Sequence, residues 1–331
     1  MNAVADPLLS VTGLHRHYRK PRRHPFAARQ SVRAVAGIDL YIRPGETLGI
    51  VGESGCGKST LGRIVVGIDQ PTSGAVRFAG TEISALGAAG MKPFRRDLQM
   101  IFQNPLAALD PRLRVGPQIR EAMDIHDIAT PPERDDLVMQ MLDAVGLDTG
   151  IAARYPHQIS GGQAQRIVIA RALTLKSKLL VCDEPVSALD VSVQATVTRL
   201  LADLQRKSGI AYLFISHDLK VVKQLAHRTA VMYLGRIVEE GATGDVYDRA
   251  FHPYTKALIS AVPKTTVPPT PRRLVLKGDP PSPLNPPSGC SFHTRCPFAT
   301  DICSRETPEL RDLATGHRAA CHHAEDLKDV L

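Results

Sequence analysis

A glycine-rich segment near residue 52 constrains the fold of this chain more than any other stretch. Residues 52–60 read GESGCGKST and fit the pattern G-x-x-x-x-G-K-[ST]. The members of this loop are Gly52, Glu53, Ser54, Gly55, Cys56, Gly57, Lys58, Ser59 and Thr60. Glycines let successive N–H groups turn inward toward phosphate oxygens, lysine adds a positive charge, and a serine hydroxyl can serve Mg²⁺. The segment predicts binding of a nucleoside triphosphate, ATP or GTP.

The surroundings of the loop match what such a loop requires. Residues 47–51 form a short apolar run before it, which is typical of a buried strand. After it, Leu61, Ile64, Val65 and Ile68 recur at helical spacing. A helix that begins at Lys58 would direct the positive end of its dipole at the same phosphates. The strand, loop and helix together favour a nucleotide site over a chance glycine-rich turn.

Composition limits the kind of protein this is. The chain has 331 residues, 43% of them hydrophobic and 22% charged, as in ordinary globular proteins with an α/β domain and extra modules. No apolar run approaches the roughly 18 residues that a membrane helix needs, and residues 1–10 lack a signal-peptide pattern. We expect a cytosolic chain that reaches a membrane through partners.

The net charge of +8 raises the question of nucleic acid. Basic residues are densest from His15 to His24, and Arg29 and Arg33 follow, so residues 15–33 read as a basic loop. No zinc-finger, homeodomain or RNP pattern accompanies them. A solvated loop or a contact with anionic lipid headgroups fits better, and no nucleic acid partner is expected.

An acidic pair follows an apolar strand late in the chain. Residues 179–182 read LLVC, and Asp183 and Glu184 come directly after them. Asp183 can hold Mg²⁺ through water, and Glu184 can polarise a water that attacks the terminal phosphate.

Other polar residues also stand at predicted strand ends. Gln103 follows the buried run 98–102, and His217 follows the run 210–215. An amide at the carboxyl end of a strand is well placed for a ligand, and a histidine there can donate to a γ-phosphate. A plain turn residue and a structural histidine are the alternatives, but the series of strand ends favours function.

A second set of polar residues precedes helices. Ser160, Gly161, Gly162 and Gln163 stand before the apolar helix 167–173 and offer a second anion-binding helix end, which suggests that two chains sandwich a nucleotide. Residues 104–160 read as a helical insert. Asp190 opens a further helix. Tyr18, at the end of the first strand region, either stacks on a base or belongs to the core.

Cysteines cluster near the C-terminus, beyond a proline-rich stretch at 263–287. Cys56 and Cys182 read as structural, whereas the other four stand together: Cys290, Cys296, Cys303 and Cys321. In a cytosolic chain this favours metal over disulfides. Four thiolates suit a zinc ion or a [4Fe–4S] cluster, although their spacing matches neither the usual zinc pairs nor the ferredoxin runs. A mixed Cys/His zinc site and unligated thiols stay open.

The order of these motifs resembles the ATP-binding cassette (ABC) ATPases over about residues 8–250. The Ser-Gly-Gly-Gln signature separates that family from other P-loop proteins. A narrower resemblance links the chain to the oligopeptide/dipeptide importer branch. It rests on matching segments at 52–63, 102–105, 109–112, 155–157 and 289–297. The basic loop before Val35 and residues 60–63 favour the second ATPase of that branch, the F-type subunit.

The resemblance implies a fold and a role for each residue. The fold would be α/β, a P-loop core of the RecA type with an antiparallel β subdomain, the helical insert at about 104–160 and a small Cys-rich extension. Tyr18 would stack on adenine, while Lys58 and the loop amides would bind phosphate. Ser59, Gln103 and Asp183 would serve Mg²⁺. Glu184 would be the general base, His217 would sense the γ-phosphate, and Asp190 would contact nucleotide. The signature would complete the partner subunit's ATP site through Ser160, Gly161, Gly162 and Gln163.

The resemblance also implies an assembly. The chain would hydrolyse ATP at the cytoplasmic face of the inner membrane, beside a homologous ABC ATPase, two integral membrane permeases and an extracytoplasmic solute-binding protein. Residues 1–262 would be the nucleotide-binding domain, 263–287 a linker, and 288–331 the Cys-rich extension, with a [4Fe–4S] cluster favoured over Zn²⁺. A soluble ABC ATPase acting on DNA or ribosomes is an alternative, but it usually has two cassettes or coiled-coil insertions. An exporter subunit is a further alternative. Exporters often fuse membrane helices to the cassette, however, and no apolar run of that length is seen here.

Overall fold

The computed structural model describes residues 6–19, 31–187, 189–262, 274, 276 and 278–327. Contacts divide the chain into two compact units. The first unit contains Thr47–Ala85, the chain up to Tyr41, and the chain from Ser216 onward. The second contains Ile42–Glu46 and Leu86–Ile215. About half of the predicted linker at 263–287 lies outside the described residues, and the predicted domain boundaries stay predictions.

The strands of the described residues are short, apart from the first two. In chain order they are β1 (Leu9–Arg19), β2 (Ser31–Ile42), β3 (Thr47–Val51), β4 (Ser73–Phe78), β5 (Thr81–Glu82), β6 (Leu98–Ile101), β7 (Leu179–Asp183), β8 (Ala211–Ser216), β9 (Arg228–Tyr233), β10 (Arg236–Ala242), β11 (Arg311–Ala314) and β12 (His317–Ala319).

The α-helices alternate with these strands over much of the chain. They are α1 (Lys58–Val65), α2 (Ala88–Met91), α3 (Val115–Ile125), α4 (Pro131–Ala144), α5 (Gly161–Leu173), α6 (Val191–Ser208), α7 (Leu219–Leu225), α8 (Thr243–Asp248), α9 (Pro253–Ser260) and α10 (Asp301–Arg305).

The first unit contains an antiparallel sheet in the order β2-β1-β4-β5. In β1, Leu9 pairs with Phe78 and Val11 with Val76, so their side chains share one buried face. This confirms the antiparallel subdomain. The basic residues from His15 to Arg19 lie in β1 rather than in a loop, because β1 is longer than its apolar start indicates. Residues 20–30 of the predicted basic loop lie outside the described residues.

A second group of strands in the first unit follows the order β11-β12-β10-β9-β3. The parallel partner of β3 is β9, while β9 and β10 form the predicted hairpin around Gly235. At the other side of β10, Glu239 pairs with Ala319 of β12. We call residues 288–327 the tail; its strand β12 is therefore bonded to β10.

The second unit contains the parallel strands β6, β7 and β8. All residues of β7 are buried, as expected for a parallel strand covered on both faces. Between β6 and β7 the chain forms α3, α4 and α5, which pack on one another. Together with the strand, loop and helix at β3 and α1, this confirms the predicted P-loop α/β core.

Candidate nucleotide site

The phosphate loop joins β3 to α1 in the first unit. Every residue of β3 is buried, and α1 begins at Lys58. The Lys58 ammonium donates to the carbonyl oxygens of Gly52 at 2.8 Å and of Glu53 at 3.0 Å, and its side chain is only 4% exposed. The lysine charge is thereby held over the loop that the sequence predicts to bind phosphate.

Two glycines in this loop are required by close backbone approach. Gly57 has φ +109°, and a Cβ there would stand 2.0 Å from the Ala34 carbonyl oxygen. Gly52 has φ +156°, and a Cβ would stand 2.2 Å from the Met232 carbonyl oxygen. Only glycine fits both places. Cys56 lies between them with its thiol buried, and burial raises the pKa of that thiol.

Tyr18 is fixed at the end of β1 by polar contacts. Its hydroxyl donates to Asp69 Oδ2 at 2.8 Å, and Arg63 Nε of α1 donates to the same oxygen at 3.0 Å. Burial alone would raise the pKa of Asp69, but the hydrogen bonds from Tyr18 and Arg63 outweigh it, and the pKa lies below its ordinary value. The Arg16 guanidinium lies 4.5 Å from the centre of the Tyr18 ring.

The predicted base and the predicted amide meet in the second unit. Gln103 Nε2, beyond β6, donates to Glu184 Oε2, beyond β7, at 2.9 Å. Asp183, at the end of β7, and Glu184 are 5% and 8% exposed. Glu184 has φ +48°, a left-handed backbone that is uncommon outside glycine and that clusters at functional sites.

The signature residues form the start of α5. Ser160 is the N-cap: its amide donates to Gln163 Oε1 at 2.9 Å, and its hydroxyl accepts from the Gln163 amide at 3.3 Å. Ser160 and Gly161 are exposed. A Cβ on Gly162 would meet the Val193 side chain at 2.8 Å. The motif therefore presents a capped helix N-terminus to its surroundings.

Two further predicted residues are exposed. Asp190 is the N-cap residue of α6. His217 directly follows β8 along the chain, and next to it Asp218 caps α7 by accepting from the Lys220 amide at 2.8 Å.

The four tail cysteines lie near one another. The Cys290 amide donates to the Cys303 carbonyl oxygen at 2.8 Å. Burial, with help from the neighbouring thiols, raises the pKa of Cys296 to about 11 and that of Cys321 to about 12. The six cysteines are unpaired by disulfides. Within the described part of the chain, however, no group of three or more His, Cys, Asp or Glu residues could hold a metal ion.

Buried polar contacts join β12 of the tail to β10 within the first unit. His317 Nε2 lies 2.8 Å from Glu239 Oε1, and this carboxylate also accepts from the amides of Phe251 and His252. Glu240 accepts from both Arg228 and Arg318. Sequence patterns missed these pairs, because no local spacing links residues so far apart in the chain.

Comparisons with known proteins match this geometry. The ABC transporter family model matches residues 35–187, and the model of the oligopeptide/dipeptide transporter C-terminal region matches residues 238–303. The di/tripeptide transport ATP-binding protein DppF of Pseudomonas aeruginosa is 47% identical over 97% of this chain and 98% of its own length. The oligopeptide transport ATP-binding protein AppF of Bacillus subtilis is 50% identical over 88% of this chain and 89% of its own length.

A solved structure extends the match to the fold. The ATP-binding cassette MJ0796, described as a post-hydrolysis dimer bound to ADP and Pi, has a TM-score of 0.64 and 26% identity. It covers 71% of this chain and 98% of its own. None of the helices in the described ranges is long and apolar enough to span a bilayer. The chain belongs to the ATP-binding cassette family of transporter ATPases, and it contains the C-terminal region of the oligopeptide/dipeptide transporters.

Proposed function

We propose that this ATPase energises the import of oligopeptides, dipeptides or similar small solutes. The observation that supports the proposal most is the relationship to DppF, which extends over 97% of this chain and includes the tail. The model of the oligopeptide/dipeptide transporter C-terminal region matches residues 238–303, which lie beyond the general ABC core and include the start of the tail. The alternative, a soluble ABC ATPase acting on nucleic acid or ribosomes, has no comparable support.

In this proposal each nucleotide motif has one role. Lys58 and the loop amides bind the phosphates, and Tyr18 stacks on adenine. Ser59, Gln103 and Asp183 provide the hydroxyl, amide and carboxylate oxygens that suit Mg²⁺, which neutralises phosphate charge when bound. The buried position of Asp183 at the end of β7 supports this donor set.

The hydrolytic step is assigned to Glu184. As general base it accepts a proton from the water that attacks the terminal phosphate. The hydrogen bond from Gln103 Nε2 to Glu184 Oε2 orients the carboxylate, so the base and its orienting group form one unit. His217 is the proposed donor to the γ-phosphate.

The exposed signature is assigned to a second cassette. Ser160, Gly161, Gly162 and Gln163 offer a capped helix N-terminus, which suits an anion bound by a partner chain. Asp190 is assigned to the same contact. We propose a homologous ABC ATPase as that partner, in a complex with two permeases and a solute-binding protein at the cytoplasmic face of the inner membrane.

The tail thiols are assigned to a [4Fe–4S] cluster held by Cys290, Cys296, Cys303 and Cys321. The raised pKa values of Cys296 and Cys321, caused by burial and by the other tail thiols, are consistent with four neighbouring thiols. No group of three or more His, Cys, Asp or Glu residues in the described part of the chain could hold a metal ion, so the assignment rests on the resemblance and on the four cysteines alone. Anaerobic purification should yield brown protein with iron and sulfide; zinc, or no metal, would contradict the assignment.

Co-purification tests the transport function directly. The tagged chain is extracted from membranes in mild detergent, and the proteins bound to it are identified by mass spectrometry, with an untagged strain as the control. We expect a second cassette ATPase and two multi-span membrane proteins. A preparation that contains nucleic acid or ribosomal proteins, without membrane proteins, would contradict the proposal.

A further inference from the structure

An ion pair between Arg295 and Glu53 joins the tail to the phosphate loop. Arg295 Nη1 donates to Glu53 Oε2 at 2.8 Å, and Arg295 Nη2 donates to Glu53 Oε1 at 3.0 Å. The two residues are 242 positions apart, and the Arg295 side chain is 7% exposed. Two parallel bonds from a guanidinium fix both the position and the orientation of a carboxylate. A single lysine could not do so.

Glu53 is also held through its backbone. Its amide donates to the Tyr254 hydroxyl at 2.9 Å, and its carbonyl oxygen accepts from Lys58 Nζ at 3.0 Å. Side chain, amide and carbonyl are therefore all engaged at one residue. Because Glu53 directly follows Gly52 at the start of the loop, these contacts set the path of the backbone that leads to Lys58.

The tail supports the same place with an aromatic contact. Phe292 is 1% exposed, and its ring centre lies 5.3 Å from that of Tyr233 and 5.5 Å from that of Tyr254. The Tyr233 hydroxyl lies 3.5 Å from Arg295 Nη1. Two neighbouring tail residues therefore contact this part of the loop: Arg295 pairs with Glu53, and Phe292 packs against Tyr254, which accepts from the Glu53 amide.

The charge of Glu53 needs compensation for a physical reason. A carboxylate within a phosphate-binding loop repels the triphosphate that the loop must hold. Arg295 pairs with that carboxylate and cancels its charge while it keeps the side chain in place.

We propose that Arg295 is a positioning residue for ATP: it neutralises Glu53 and fixes the entry of the phosphate loop, so that the tail sets the affinity for nucleotide. The inference rests on ATP binding by this ATPase and not on the proposed peptide import. Arg295 acts through Glu53, without contact to the nucleotide.

Binding of MgATP to the purified full chain tests the proposal. Titration calorimetry compares the wild type, Arg295→Gln, and the double variant Arg295→Gln with Glu53→Gln. We expect Arg295→Gln to weaken binding about tenfold, because the Glu53 charge is left uncompensated. The double variant should return to within about threefold of the wild type, since it removes both charges.

Arg311→Gln is the matched control. Arg311 also belongs to the tail and makes a two-bond pair, but its partner is Glu325 rather than a loop residue, and the pair is exposed. The ATP affinity of the Arg311→Gln variant should equal that of the wild type. Hydrogen exchange at the amides of residues 53–57 adds a readout that needs no nucleotide, and it should be faster in Arg295→Gln but unchanged in Arg311→Gln.

Two results would overturn the proposal. Wild-type affinity in Arg295→Gln would mean that the pair only anchors the tail. A double variant as weak as Arg295→Gln would mean that the Glu53 charge is not the cause. If Arg295→Gln does not fold, Arg295→Lys keeps the charge without the two-bond fork, and its affinity should fall about threefold; wild-type affinity there would also count against the proposal. A wild-type chain that bound no ATP would instead contradict the nucleotide site itself.

Discussion

The phosphate loop and the tail obtain their order in opposite ways. The loop is one continuous segment, Gly52–Thr60, shaped by glycine conformations and by carbonyls that surround Lys58. The tail is fixed by polar contacts between distant residues: His317 and Arg318 each contact a glutamate 78 positions away. The loop should therefore be sensitive to added volume and backbone strain, while the tail should be sensitive to loss of one buried partner.

The largest effect should come from Glu184, because proton transfer from the attacking water is assigned to this one side chain. Glu184→Gln should lower ATP hydrolysis by the purified complex about 10³-fold, since an amide cannot accept the proton. ATP binding should be retained. Glu82→Gln, which disturbs an exposed pair with Arg77, is the control and should leave the rate unchanged. A Glu184→Gln rate within about threefold of the wild type would remove Glu184 from the step.

Backbone strain in the loop should produce the next largest effect. Gly57→Ala forces an added methyl to within 2.0 Å of the Ala34 carbonyl oxygen at φ +109°, and we expect ATP affinity to fall at least about 100-fold. Gly55→Ala is the matched control. Gly55 also has a positive φ of +79°, but its Cβ would meet nothing within 4 Å.

Gly55→Ala should therefore cost only the strain of its conformation, about 1 kcal/mol, and weaken binding much less. Calorimetric titration with MgATP measures both variants. Equal losses of ATP affinity in the two variants would show that the positive φ matters more than the close approach of the backbone. The loop would then be sensitive to backbone strain but not to added volume.

In the tail, removal of one buried hydrogen-bonding partner should matter most. His317→Ala leaves Glu239, which is 0% exposed, without its side-chain donor, although the amides of Phe251 and His252 still donate to it. We expect the free energy of unfolding to fall by about 2–3 kcal/mol. His322→Ala, which loses an exposed contact to the Glu306 carbonyl oxygen, is the control and should change little.

Urea unfolding at neutral pH measures both histidine variants. Equal stability of His317→Ala and the wild type would show that the amides alone satisfy Glu239. The tail would then depend on apolar packing, such as the cluster that contains Phe251, Ala319 and Leu327, rather than on the contact of His317 with Glu239.

Local sequence predicted the motif-bearing parts of the molecule well. The run before Gly52, the helix after Lys58, the β9–β10 hairpin and the antiparallel sheet follow from apolar periodicity and turn residues. For Gln103 and Glu184, the sequence predicts two polar residues at strand ends but not the hydrogen bond between them. The partners Arg295 and Glu53 were not predicted, because an ion pair across the chain leaves no periodic signal.

The extension of β1 shows a second limit of sequence patterns. His15, Arg16 and His17 read as loop because they are basic, yet the backbone of β1 continues through them to Arg19. The Thr72 amide donates to the His15 carbonyl oxygen, and the His17 amide donates to the Thr72 hydroxyl. Strand formation here is decided by backbone partners from another part of the chain, whatever the side chains.

The smallest effect should come from Tyr18, which shares features of both regions: it belongs to the nucleotide motifs, yet a long-range pair holds it. Tyr18→Phe keeps the ring but removes the hydrogen bond to Asp69, and we expect a loss of about 0.5–1 kcal/mol of unfolding free energy at neutral pH. The pKa of Asp69 is lowered in the folded chain, so its contribution is present above the unfolded pKa and is lost as pH falls through the folded pKa. Wild type and Tyr18→Phe should therefore converge in stability toward acid pH. Urea unfolding at acid pH values measures this for Tyr18→Phe in the wild-type chain and in a chain that also carries Asp69→Asn. In the Asp69→Asn chain, the effect of Tyr18→Phe on stability should no longer depend on pH. A difference that persists unchanged into acid would mean that the Tyr18 hydroxyl stabilises the fold without the Asp69 charge.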